Sequence, residues 1–425
     1  MFSPVYLVSI ILATALNVAA SPTHVVRDSL VTLPFAKVVN VTSPAHLIKH
    51  GQARARLLRD KARAKQQGLS SDAVVSAPAE NEAVSYVANV AVGSPATTYQ
   101  LIVDTGSSNT WVGAGKAFVR TGTSTPTINA VSVTYGSGSF FGQEFTDQVS
   151  LGPGLTVTEQ SIGVAEESTG FDGVDGIIGI GPVDLTEGTL IPSFFSTIPT
   201  VTDNLFTQGA ISAREVAVSF EPTTNLTNVN GELTFGGTDS SKFTGDITFT
   251  PVTTTSPSSE FWGIDESITY GTDGASILST TAGIVGKLHI AVDTGTTLIL
   301  IASDALALYE TATGAVPDST TGLLRLTTAQ FANLQPLNFI INGATFTLTP
   351  NAQIWPRALN SAIGGTADNA TLAVYLIVGD IGANSGSGMD FINGQTFLER
   401  FYSVFDTTNQ RVGIAATPFT TSTVN

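Results

Sequence analysis

The sequence predicts an all-β chain of two related lobes with a few short helices. Three observations carry that prediction. From Val84 onward, apolar and β-branched stretches of four to eight residues alternate with turns rich in Gly, Ser, Thr and Asn, which is the signature of strands and hairpins. A short apolar stretch ending in Asp-Thr-Gly and two hydroxyl residues occurs twice, as LIVDTGSS at 101–108 and IAVDTGTT at 290–297. The chain has 425 residues, more than one hydrophobic core usually serves.

Taken in order, residues 2–20 (FSPVYLVSIILATALNVAA) form an uncharged apolar run that ends in small residues. It reads as a secretory signal spanning 1–20 rather than an anchor, and no second run of spanning length follows. Residues 21–79 are expected to be a basic pro-segment. They hold nine of the 18 basic residues, opposed only by Asp28, Asp60 and Asp72, which leaves nine basic against 31 acidic in the remainder. His46–Gln67 is rich in Ala, Leu and Arg and reads as a helix that stops at Gly68. A basic segment attached to an acidic body is expected to dock as an intramolecular inhibitor and to loosen in acid. The body divides into an N-terminal β lobe, 80–250, and a C-terminal β lobe, 251–425. Strands are expected at YVANVAV (86–92), YQLIVDTG (99–106), VSVTYGSG (131–138), GELTFGG (231–237) and ATFTLTP (344–350), and the clearest helix at SDALALYETATG (303–314).

Composition narrows the chemistry. The net charge of −16 disfavours nucleic acid as a partner, because phosphate repels such a surface. There is no Cys, so thiol catalysis, Cys-ligated zinc and disulfides are excluded. Of the four His, three lie in the first 50 residues and only His289 beyond, too few for a multi-His metal site. No Gly-x-Ser-x-Gly elbow accompanies them. No metal or other cofactor is expected. Carboxylates remain, and with them acid–base chemistry by Asp or Glu.

One Asp-Thr-Gly is most often just a turn. Two copies, each entered by apolar residues and left by Ser or Thr, suggest a pair of aspartates, Asp104 and Asp293, brought together about a pseudo-twofold axis. Two adjacent carboxylates cannot both ionise cheaply and so hold one proton between them, which supplies a general base and a general acid in one place. Gly106 and Gly295 permit the reversal behind each aspartate. Ser107 and Thr296 are expected to donate hydrogen bonds to the carboxylates, and Thr105 and Thr294 to tie the two loops together.

These motifs resemble the pepsin-like aspartic proteases, over essentially the whole body and most nearly their Cys-free fungal branch. DTGSSNTWVG (104–113) and VDTGTTL (292–298) look like the two active-site segments. VTYGSGSFFG (133–142) looks like the flap over the cleft, and DGIIGIG (175–181) and FLERFYSVFDTTNQRVGIA (397–415) look like the apolar Gly segment and the C-terminal strands. The resemblance implies a bilobal fold of two β-barrel-like lobes and a monomer. It makes Asp104 and Asp293 catalytic, Tyr135 the flap tyrosine with Trp111 as its hydrogen-bond partner, and Gly136 and Ser137 the flap contacts to substrate. It implies a secreted aspartic endopeptidase made as a zymogen, free of membrane after signal removal. Its substrates would be proteins or peptides, cut in acid and preferably between bulky apolar residues, since Ser137 stands where some fungal relatives carry an acid.

The approach to the second aspartate, AGIVGKLHIAVDTG (282–295), departs from the family by its length. Either AGIV or IAV can supply the entry strand, and GKLHIA is extra. Two other readings compete: a catalytically impaired relative acting as a binding or inhibitor protein, and a β-rich glycosidase with two carboxylates. Retention of both aspartates and the flap tyrosine opposes the former, and the symmetry of the twin loops opposes the latter. Asn-x-Ser/Thr triplets make Asn225 and Asn369, and also Asn40, candidate glycosylation sites.

Overall fold

The computed structural model describes residues 31–40, 46–67, 83–135, 138–225, 227–285, 297–365 and 373–424. The expectation of an all-β bilobal fold holds: most elements are strands, gathered into sheets of fourteen, seven and three strands among the described residues. Each strand forecast above lies in or overlaps an observed one, and the forecast helix at 303–314 is the α-helix Ser303–Thr313, closed by Gly314 in the left-handed conformation.

Period-two burial builds the first lobe. Strand β1 (Val31–Asn40) turns Leu33, Phe35 and Lys37 inward. It is followed by helix α1 (His46–Gln66) and then β2 (Ala83–Val92), β3 (Thr97–Asp104), β4 (Thr110–Val112), β5 (Thr125–Thr134), β6 (Ser139–Gly152), β7 (Leu155–Thr169) and β8 (Gly176–Gly179). Strand β1 lies in the middle of the large sheet, antiparallel to β2 on one side and to Thr227–Phe235 on the other. Phe35 packs edge-on to Tyr86 and Phe220, with ring centroids 5.4 and 5.0 Å away. Gly231 makes room for it, since a Cβ there would come within 2.0 Å of the Phe35 ring.

The large sheet is not confined to the first half of the chain. The C-terminal strands Phe401–Asp406 and Arg411–Ala416 join it through Glu215–Phe220, and Thr244–Pro251 pairs outside them at its edge. The seven-stranded sheet carries the second lobe, and one apolar cluster runs through both. Among the described residues no helix is long and apolar enough to cross a membrane.

Candidate active site

Asp104 is the last residue of β3, which runs parallel to β8 with Asp104 opposite Gly179. The chain leaving β8 threads the Asp-Thr-Gly loop. The Ile180 amide donates to the Asp104 carbonyl at 2.7 Å and the Gly181 amide to the Ser107 carbonyl at 2.9 Å. A Cβ on Gly179 would stand 2.5 Å from the backbone of Ser108, and one on Gly181 would stand 2.8 Å from the Ser107 carbonyl oxygen. That contact is why an apolar run of this kind needs glycine: DGIIGIG packs backbone to backbone against the loop that presents the aspartate.

The Asp104 carboxylate is fully buried, and its Oδ1 accepts the Gly106 amide at 2.7 Å. The bond expected from Ser107 is absent. The Ser107 hydroxyl makes no hydrogen bond to the carboxylate and lies beside the Tyr135 phenol, while the Gly106 amide already takes Oδ1. Thr105 is buried in the same loop.

Tyr135 and Trp111 come together as expected. Strands β5 and β6 form a hairpin above Asp104, closed where the Tyr135 amide donates to the Gly138 carbonyl at 2.7 Å. Trp111, on β4, donates its Nε1–H to the Tyr135 hydroxyl at 2.9 Å and stacks on Phe140 with centroids 4.2 Å apart. Phe171 meets both rings edge-on. Burial, and then the negative charge of Asp104, push the Tyr135 phenol well above its ordinary pKa, so it stays neutral and able to donate.

Helix α1 fills the cleft beneath this hairpin. Its inward residues, Leu47, Gly51, Arg54, Ala55, Leu58 and Ala62, follow the three-to-four spacing of one helical face. Gly51 brings the helix against the second lobe, for a Cβ there would be 2.6 Å from Leu300 Cδ1. Gln52 donates to Asp380 at 3.1 Å. Arg54 then reaches Asp104, with 3.8 Å between guanidinium nitrogen and Oδ2 and both side chains buried. About two turns further on, Lys61 donates to the Thr134 carbonyl and sits 5.9 Å from the Tyr135 ring centroid. On β1, Lys37 pairs with Glu399 at 2.5 Å, and Glu399 also accepts the Tyr86 hydroxyl at 3.0 Å.

Between α1 and the first lobe lies a cavity of 480 Å³, lined among others by Leu58, Val133, Tyr135, Leu185, Phe194 and Phe195. Phe195 is 93% exposed and forms a free apolar lip. Sequence reasoning counted Arg54, Lys61 and Lys37 among the basic residues without assigning any of them to the site, and of this apolar lining it singled out only Tyr135. For Arg54 a signal was present, since it stands on the apolar face of its own helix, where an unpaired cation would be costly.

Asp293, Thr294, Gly295, Thr296, Gly136, Ser137 and Asn369 lie outside the described residues. Asn225 is exposed; Asn40 ends β1. Of the two candidate entry segments, AGIV closes the strand Ala275–Val285, where Ile284 and Val285 pair in parallel with Ile392 and Asn393, and IAV lies outside the described residues.

Residues 85–417 match the family model described as eukaryotic aspartyl protease. Polyporopepsin from Irpex lacteus is 66% identical over 350 residues, covering 82% of this chain and 99% of that protein. Cathepsin E from Rattus norvegicus is 31% identical, covering 78% of this chain and 80% of the other. The crystal structure of aspartic proteinase from Irpex lacteus superposes with a TM-score of 0.77 at 58% identity, over 93% of this chain and all of the other.

Proposed function

Since the chain belongs to the eukaryotic aspartyl protease family, and is thereby an aspartic-type endopeptidase, we propose that it is made as a secreted zymogen whose Asp104–Asp293 dyad cuts peptides in acid. The dyad shares one proton. The ionised carboxylate takes a proton from a bound water as that water attacks the peptide carbonyl. The protonated one hydrogen-bonds the carbonyl oxygen, and a proton passes to the nitrogen as the C–N bond breaks. Tyr135, kept neutral by burial, closes the hairpin over the substrate with Trp111 fixing its hydroxyl. An extended peptide would lie in the cleft now filled by α1. The apolar lining of Val133, Leu185, Phe194 and Phe195 supports a preference for bulky apolar side chains.

The observation that carries the zymogen reading is Arg54 held against the buried Asp104 carboxylate. A guanidinium there bars both water and substrate. Lys61 on the hairpin and Lys37 on Glu399 add two further charge-assisted contacts from the same segment. Acid that neutralises carboxylates weakens the docking, so residues 21–79 act as an internal inhibitor released at low pH. The mature enzyme is proposed to be a monomer, free of membrane, with glycans at Asn225 and Asn369. The test is casein digestion at acid pH by the processed protein, with and without a statine-type inhibitor. Inhibitable cleavage is expected; its absence from the processed protein would refute the reading.

A further inference from the structure

Three carboxylates stand around the cavity between α1 and the first lobe: Asp184 and Glu187, both exposed, and Glu260, half-buried. Among the described residues that line it, the only cations are Arg54 and Lys61, and both belong to α1. When α1 leaves, the three carboxylates stay and both cations go. The wall also holds an acceptor that lacks a donor. Asn109 is 3% exposed, and its Nδ2 donates to the Thr189 hydroxyl at 3.1 Å. That hydroxyl donates its own proton to the Thr186 carbonyl at 2.7 Å, so towards Asn109 it can only accept. The amide is thereby fixed with Nδ2 on Thr189 and with Oδ1 unpartnered. A buried acceptor without a donor is costly, and beside three carboxylates the donor that suits it is cationic.

We infer that this cavity, once α1 has left, takes the side chain of an Arg or Lys of the substrate, so that the enzyme favours peptides with a basic residue a few positions from the cut bond, on one side only. This rests on α1 leaving the cleft and on Asp104 being catalytic. Arg54 marks the place of the reacting carboxylate, 3.8 Å from Asp104 Oδ2. Lys61 stands seven residues on, which is about 10 Å along a helix that rises about 1.5 Å per residue. An extended peptide covers that distance in about three residues of about 3.3 Å each.

The helix already shows the pairing that the cavity asks for. Between its two cations in sequence it carries Leu58, which meets the apolar lining. A substrate with a bulky apolar residue at the cut and a cation further along offers the same two kinds of group. Phe195, 93% exposed at the lip, can cover the aliphatic stem of that cation or meet its charge with the ring face. The acidity of the whole chain, a net −16, attracts a cation anywhere on a peptide. The cavity adds a preference for one position, and that is what separates the two effects.

The experiment assays the processed protein at about pH 5 on internally quenched peptides with two bulky apolar residues at the cut. Lys, Gln or Glu is placed at each flanking position in turn. At about 0.01 M salt, Lys is expected to lower KM about fivefold relative to Gln at one position about three from the cut, and Glu to raise it there. The effect should fall on KM and leave kcat within about twofold, as for binding shared by ground and transition state. At about 1 M salt the gain should shrink below about twofold. It should shrink likewise in a chain carrying Asp184→Asn, Glu187→Gln and Glu260→Gln, where the Lys-to-Gln ratio is read within one protein. Should that chain fail to fold, position and salt dependence in the unaltered protein decide. Equal KM for Lys and Gln at every position, a gain spread over both sides of the cut, or a gain that survives in the folded triple variant overturns the inference. Statine-sensitive cleavage of all peptides alike would sink the inference and leave the acid endopeptidase reading standing. Statine-sensitive cleavage of none would sink that reading, and the inference with it.

Discussion

Lys37→Met tests whether β1 clamps the pro-segment in place. Lys37 and Glu399 lie 2.5 Å apart with 3% and 8% of their side chains exposed, so solvent screens the pair little. Methionine fills a similar volume but leaves the Glu399 carboxylate buried with only the Tyr86 hydroxyl at 3.0 Å. Removing one member of a buried pair costs about 3–5 kcal/mol. At about 1.4 kcal/mol per decade, the undocked population should rise by about two to three and a half decades. Trypsin reads that population, because Arg54 and Arg59 on α1 are buried and cleavable only when the helix leaves the cleft. At neutral pH and low protease the cleavage rate follows the open fraction and should rise by the same factor. Replacing both partners, as in K37M with E399Q, should restore most of the protection, since no buried charge is then left alone. Unchanged trypsin sensitivity in K37M, or an equal loss with and without Glu399, would refute the reasoning.

Two buried carboxyls set a second expectation. Burial raises Glu266 to about 8 and Glu144 to about 7, each opposed by one hydrogen bond, from Asn393 at 2.8 Å and from Ser161 at 2.6 Å. Both pKa values lie above those of the unfolded chain, so the folded state binds more protons and stability falls as pH rises from about 4.5 to about 8. Each group contributes a slope of about 1.4 kcal/mol per pH unit within its own window. Urea unfolding of Glu266→Gln across that range should show a shallower decline than the parent; an unchanged slope contradicts the assignment. Trp111→Phe keeps the stack on Phe140 but removes the donor to Tyr135. The loss of about 1 kcal/mol should lower kcat/KM by about fivefold, and peptide kinetics showing no change would exclude that role for the indole.

Much of this was legible in the sequence because it is local. Strand periodicity, the first Asp-Thr-Gly loop, the Tyr135 hairpin and the basic helix at 46–66 are all written in short windows, and the helix ended within a residue of its forecast. Arg54 lay in plain view, but its partner lies 50 positions away across a cleft that only the folded chain defines. Lys37 and Glu399 are 362 residues apart. Glu266 gave no sign of burial because its strand alternates as any half-buried strand does. That AGIV lies in a strand could not be read from pattern, since AGIV and IAV are equally apolar; it needed the pairing of Val285 with Asn393 and the close approach of Gly283 to Phe391.

The central claim is that two aspartates from different lobes act as one catalytic unit. Turnover of a quenched peptide at acid pH by Asp104→Asn and by Asp293→Asn, each processed and shown to unfold cooperatively like the parent, tests it most directly. The account predicts that either substitution alone removes statine-sensitive turnover. Parent-like cleavage by folded Asp293→Asn would contradict it.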